Sequence, residues 1–558
     1  FINYVTKAGS KGPAVFRTEA GADVSTNKFK AQGSSPSVRQ SVSGTVGQFD
    51  YRVIGMVRRI NDYIDADGNV IPPQLGSGIQ NSTVKSLLAK IGYSFGRQRV
   101  EAAFNAYEQV ADIEWAVKNG NIATGAPATA IPAVRRPGQV EEQNKSQVAN
   151  VVYSNAALFG SRNSFRAQAY YVDTTSWFQY AVNRFPLFPE APNGQSGNLT
   201  KKSGARFDVN TPLRSVLPMD GALLWGLDLM RDDTKIPLVD GRQFGIPQVL
   251  TSTAGFVQLQ MSPFDKLKVS LGLRREASEV EVSDYTSLFT KARITGGTLD
   301  FKTTPKNAGL VYSPSKLFDL YGGFSQGFDI QQTSQNFRAW PVDIDLTRTK
   351  PPANVIDSHE VGVRFHGHGM RASAGVYQLK SSNGISYVYN ATAPLEPRAV
   401  VAPDKVSGIE LTADYTGVDD WVFGTTYAKS RGKADTNGDG NYDTPLQNRR
   451  IPPPSLTAHA EYAFAPGSFV RVQALYSGKR NAFPNTVPNR FHEGKVNAYH
   501  TIDVSARIAM AANMDLSLGV RNLFNRDYFT NYSEGFNTND NYLKAPGRSI
   551  SMRLGVNY

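Results

Sequence analysis

Apolar and polar side chains alternate with a period of two, in segment after segment of about ten residues, and this narrows the possible folds more than anything else. In the last eleven residues, Ile550, Met552, Leu554, Val556 and Tyr558 share one face, while Ser551, Arg553, Gly555 and Asn557 share the other. Val100, Ala102, Phe104 and Ala106 likewise oppose Arg99, Glu101 and Asn105, and Leu267, Val269, Leu271 and Leu273 oppose Lys268, Ser270, Gly272 and Arg274. Ile409, Leu411, Ala413 and Tyr415 oppose Glu410, Thr412 and Asp414, and Ile502, Val504, Ala506 and Ile508 oppose Asp503, Ser505 and Arg507. The polar face is charged deep inside each segment. A dry sandwich core cannot hold charge on its inner side, whereas a water-filled lumen can, with the apolar face turned to lipid.

The connections between these segments alternate in length. Short turns fall at 47–50, 262–265, 366–369, 417–420, 465–468 and 511–513. Long polar stretches fall near 61–82, 112–143, 179–203, 232–249, 329–357, 382–404, 431–454, 479–498 and 526–547. This is the rhythm of a transmembrane antiparallel β-barrel, with short periplasmic turns and long extracellular loops. Counting on that basis gives an all-β barrel of about 22 strands, a size whose lumen is plugged. An even count also returns both ends of the wall to the periplasmic side.

At 558 residues a soluble chain would divide into several domains, yet no linker or shift in composition cuts this one. No run of about 18 apolar residues exists, so no transmembrane helix is expected. The 49 Gly, 25 Tyr and 30 Phe suit tight turns and aromatic girdles. With no Cys, disulfide and thiolate chemistry are excluded. The chain opens at Phe1 with neither initiator Met nor leader, so a processed or truncated start is expected. A net charge of +12 points to an anionic partner. Because the cations are dispersed rather than clustered, an anionic ligand or lipid surface fits better than nucleic acid.

Several motifs offer chemistry that their context withholds. Gly323 to Gly327 matches a nucleophile elbow around Ser325, but that elbow needs a strand, turn and helix, and no helix pattern follows. Asp435, Asn437, Asp439 and Asp443 match the first half of a calcium loop, though Leu446 stands where the bidentate Glu belongs. His366 and His368 sit in a short turn without a nearby third ligand. Nothing argues for an enzyme, and no cofactor is called for. The long loops interleave cations and aromatics: Arg338, Trp340, Arg348, Tyr387, Tyr389, Arg398, Arg449, Arg480 and Tyr532 are the candidates for holding a bulky anionic ligand. For each of them taken singly, an ordinary solvated loop or a girdle aromatic is the plainer account.

Phe1 to Lys7 resembles the end of the plug domain of TonB-dependent outer-membrane receptors. Gly519 to Tyr528, with Ala545 to Arg548 and the final strand, is similar to that family's ending. Trp225 to Asp228, Gly296-Gly297, Tyr321 to Phe328, Glu360 to Arg364 and Val406 to Glu410 resemble its barrel strands in the right order. The resemblance implies residues 1–12 as the end of a plug and its linker, and 13–558 as the barrel. It implies a Gram-negative outer-membrane receptor that imports a ferric siderophore, closest to the hydroxamate or citrate type of the aerobactin receptors. Energy would come from a TonB-ExbB-ExbD complex through plug residues, including the TonB box, that this sequence lacks. Another cargo (cobalamin, haem or a glycan) and a passive porin or adhesin barrel are the alternatives.

Overall fold

The computed structural model describes the chain except residues 1–6, 74–78, 136–137, 159–161, 180–193, 216–218, 331–336, 339, 341, 349–352, 389–397, 449 and 483–493. Its wall is a closed barrel of 22 antiparallel strands. The first strand, Val15–Ser25, pairs with the last, Ser549–Asn557, from Arg17 opposite Asn557 to Ser25 opposite Ser549. At the seam Phe16 and Tyr558 exchange both backbone hydrogen bonds at 2.9 Å. Closure is obligatory in lipid, where an open edge would leave a row of amides and carbonyls without water or partner.

The alternation in the sequence sorts onto the two faces of this wall. Met552, Val376, Leu411, Leu271, Leu273 and Val361 are among the large apolar side chains left exposed on the outside. At the short-turn end a belt of aromatics circles the barrel. Phe16 stacks on Tyr558 at 5.8 Å, Tyr93 on Phe95 at 5.7 Å, and Trp421 lies 5.4 Å from Phe423 and 4.9 Å from Tyr462. Such rings settle where hydrocarbon gives way to head groups, and they mark the periplasmic interface.

The expected short turns are present. His368 and Gly369 have φ of 52° and 72°, the double left-handed geometry of a two-residue hairpin turn. His366 there bonds through Nε2 to the Asp319 carboxylate at 2.9 Å, so the His-x-His pair belongs to a turn. Ser325 lies mid-strand in Phe318–Asp329, opposite Asn307 and Ser358, so the elbow geometry is absent.

One expected loop is a correction. Residues 232–249 are not a long loop: the strands Asp220–Pro237 and Gln243–Phe264 rise far above the membrane and join at a tight turn, closed by the Leu238 N–H to the Arg242 carbonyl at 2.7 Å. Their upper ends are held by a second core that alternation alone does not reveal. Ile246, Val280, Ile294, Leu299 and Leu346 are almost completely buried there, and Phe337, Trp340 and Ile344 pack on them. Tertiary burial keeps polar, solvent-side strands extended where local sequence reads as loop.

Candidate functional site

The inner wall is a lattice of opposite charges drawn from strands far apart in sequence. Glu19 bridges Arg39 at 3.0 Å and Arg17 at 3.1 Å, and Arg17 reaches Asp515 at 2.8 Å. Asp23 sits between Arg58 at 2.8 Å and Arg553 at 3.1 Å. Arg99 joins Asp50 at 2.6 Å and Glu101 at 3.2 Å, and Glu101 also holds Lys90 at 2.8 Å. Most of these side chains remain part-exposed, so each pair contributes about 0–1 kcal/mol. Their effect is a hydrated wall that carries both signs of charge and offers a polar passage.

Residues 8–12 run along the inside of this wall. The Gly9 N–H donates to Asp50 Oδ1 at 3.2 Å, Arg52 Nε donates to the Ala8 carbonyl at 2.9 Å, and the Thr45 N–H donates to the Gly12 carbonyl at 2.9 Å. The chain therefore comes from the lumen into its first strand.

Among the described residues, two cavities open on the lumen. One of about 430 Å³, toward the periplasmic end, is lined by Gln260, Lys268, Tyr321, Glu360 and Arg364; the Arg364 guanidinium lies 4.4 Å from the Tyr321 ring centre. The other, of about 320 Å³, lies under the 522–548 loop and is lined by Asp23, Arg58, Tyr63, Asp503, Arg521 and Tyr528. Burial, reinforced by Tyr499 and Asp503, pushes the Tyr528 phenol up to about 12, and burial also raises Tyr63. Both phenols therefore stay protonated and can donate hydrogen bonds. Sequence reasoning missed this cavity. Its polar residues were visible as inward positions, but Asp23 and Asp503 lie at opposite ends of the sequence and only barrel closure brings them to one cavity.

The candidate loop residues divide into distinct roles. Arg338 and Trp340 come together in the extracellular lobe, where the Arg338 guanidinium lies 4.8 Å from the Phe244 ring centre and Trp340 packs on Phe337 at 5.0 Å. Arg348 stays exposed just beyond, in a turn whose N–H reaches the Asp345 carbonyl at 3.2 Å. Arg480 is buried at 8% exposure and donates to Asn448 Oδ1 and the Leu446 carbonyl. It clamps two loops together. Tyr532 is 42% exposed, on a short helix Asn531–Phe536 started by the Thr530 hydroxyl. Tyr387 and Arg398 lie on paired strands, Ile385–Val388 and Arg398–Val401, with side chains outside the described set. Tyr389 and Arg449 are outside the described residues. In the calcium-like loop, Asp435 accepts the N–H groups of Gly438 at 2.7 Å and Gly440 at 2.9 Å, while Asp439 accepts that of Asn441 at 2.7 Å. These carboxylates cap their own turn: Asn437 Nδ2 donates to Asp439 at 3.1 Å and the Thr444 hydroxyl donates to Asp443 at 3.1 Å. Among the described residues no three His, Asp or Glu side chains are placed to share a metal ion.

Comparison with known proteins agrees with this architecture. The family described as "TonB dependent receptor-like, beta-barrel" matches residues 87–523. The ferric aerobactin receptor of Klebsiella pneumoniae is 22% identical over an alignment spanning 100% of this chain and 80% of that protein. Among solved structures, the copper transporter OprC superposes with a TM-score of 0.75 at 15% identity, over 99% of this chain and 84% of its own. The FrpB iron transporter of Neisseria meningitidis gives 0.73 at 16% identity, over 98% of this chain and 81% of its own. The 22-stranded closed wall, the lipid-facing apolar band and the polar lumen have the same meaning: the chain belongs to the TonB-dependent receptor β-barrel family, transport receptors of the Gram-negative outer membrane.

Proposed function

We propose that this protein captures a ferric siderophore at its extracellular mouth and passes it down the charged lumen to the periplasm. The carrying observation is that a ferric aerobactin receptor aligns along the whole of this chain. The fold alone does not choose the cargo, since its structural neighbours include a copper transporter and an iron transporter. Exposed Arg348 and Tyr532, with the lumen cation Arg521 below, which makes no ion pair with another described residue, supply charge and an aromatic face for an anionic chelate; Arg338, Trp340 and Arg480 hold the surrounding loops in shape. Tyr387, Tyr389, Arg398 and Arg449 belong to the same proposed mouth. Residues 1–12 would lead from a plug, residues 13–558 would form the barrel, and a TonB-ExbB-ExbD complex would drive release.

The test is a tryptophan-fluorescence titration of the detergent-purified protein with ferric hydroxamates, ferric citrate-type chelates and ferric catecholates. Saturable quenching by one chelate, lost with its iron-free form, supports the reading and names the class. Absence of a saturable response to every iron chelate overturns it in favour of another cargo.

A further inference from the structure

The outer rim of the barrel carries charge too, and it is distributed unevenly. On one side the signs are matched: Lys85 stands opposite Glu108, which stands opposite Lys145 and is bonded to it at 2.8 Å. Further round, Lys201 lies 3.9 Å from Asp173. On the strands Met370–Ser381, Asp404–Tyr415 and Trp421–Ala434 the pattern changes. Lys380 is directly opposite Lys405, and Lys405 is directly opposite Lys433. Arg431 and Lys429 follow on the same outward face, and all five side chains are exposed. None of the five makes an ion pair with another described residue. The nearest acid on this face, Asp357 across from Lys380, is instead bonded by Gln326 Nε2 at 2.9 Å.

Three ammonium groups in one row, on strands about 4.8 Å apart, repel one another unless an anion lies among them. Their height on the wall says which anion. Lys405 is ten residues above Tyr415 of the periplasmic aromatic belt; at about 3.3 Å per residue and a tilt of about 45°, that is roughly 25 Å, the height of the apolar band of such barrels. The cations therefore stand where the outer leaflet's head groups begin. Directly beneath them a shallow groove of about 600 Å³ runs across the outer face. His359, Gln378, Ser407 and Arg431 form its upper edge, and Val361, Val376 and Ile409 form its lower edge beside Lys429. Val361 and Val376 are 58% and 51% exposed.

We propose that this face is a binding site for one phosphorylated glycolipid of the outer leaflet. Its phosphates would sit among Lys380, Lys405, Arg431 and Lys433, and its acyl chains would lie in the groove over Val361, Val376 and Ile409. Lys429, within reach of both layers, extends its ammonium upward while its stem covers apolar surface. The apolar floor is what selects a lipid over a free anion.

The experiment is native mass spectrometry of the detergent-purified protein titrated with diphosphorylated lipid A, with dephosphorylated lipid A and inorganic phosphate as comparators. The expected result is one tightly held diphosphorylated lipid, weakened tenfold or more in the triple variant Lys380→Gln, Lys405→Gln, Lys433→Gln, and unchanged in Lys85→Gln on the charge-matched side. Equal binding of the dephosphorylated lipid, or equal binding by the triple variant, overturns the proposal. If heat-modified gel mobility shows the triple variant unfolded, Lys429→Gln with Arg431→Gln is judged by the same criterion.

Discussion

The two faces of the strand Asp404–Tyr415 differ by one residue in sequence and by a whole solvent in environment. Leu411 points outward and is 38% exposed to what would be lipid. Its neighbour Thr412 points inward, where its hydroxyl meets that of Ser373 at 2.6 Å. On the inner wall Glu19, Asp23, Asp50 and Glu101 pair with arginines and lysines in the presence of water, whereas the outer face below the rim is mostly apolar. The lesson is that a charge on this barrel is judged by the face it takes and its height on the wall.

Moving a charge across the wall should give the largest effect. An arginine at Leu411 is expected to cost about 2–4 kcal/mol, the depth-dependent cost on the lipid face of such barrels. An arginine at Thr412 should cost only about 1 kcal/mol, the worth of the hydrogen bond it removes. Reversible denaturant unfolding in phospholipid bilayers measures both, and equal costs would erase the distinction between the faces. A smaller effect is expected inside the lumen. Asp23→Ala leaves Arg58 and Arg553 facing each other, but side-chain exposures of 23–42% limit the loss to about 1 kcal/mol. High salt should shrink that difference.

A subtler test uses pH at the extracellular end. Burial pushes the Glu142 carboxyl from 4.5 up to about 7. A raised folded-state pKa means that the folded protein holds this proton more tightly than the unfolded chain. Its stabilising contribution is complete below about 4.5 and is lost as pH rises through about 7. Glu142→Gln should therefore match the wild type in thermal unfolding at pH 5 and exceed it at pH 8; the same shift at both pH values would reject the assignment. The smallest effect is expected at Lys145→Gln, which removes one exposed rim pair worth less than about 0.5 kcal/mol.

Much of this was legible in order along the chain. The face of each strand, the short turns and the even strand number follow from a period-2 pattern read against turn residues. What the sequence hid were contacts that closure creates. The lobe around Ile294 and Leu346 looked like ordinary loop because its apolar residues are spread over 246–346 and meet only when the tall strands stand side by side. Arg480 looked like a ligand cation because its partners, Asn448 and Leu446, lie in a different loop. The basic rim row was equally hidden, since Lys380, Lys405 and Lys433 become neighbours only through the register of three strands.

By itself, then, the sequence determined that this chain must be a barrel with a wet inside and a lipid-facing outside, because local alternation sets which face each side chain takes. The tertiary structure decided which charges neutralise one another, which loops pack into a lobe and which cations are left facing the membrane. Those outcomes depend on strand register and on the closing seam between Val15–Ser25 and Ser549–Asn557, and pairings across such distances leave no trace in any local stretch of sequence.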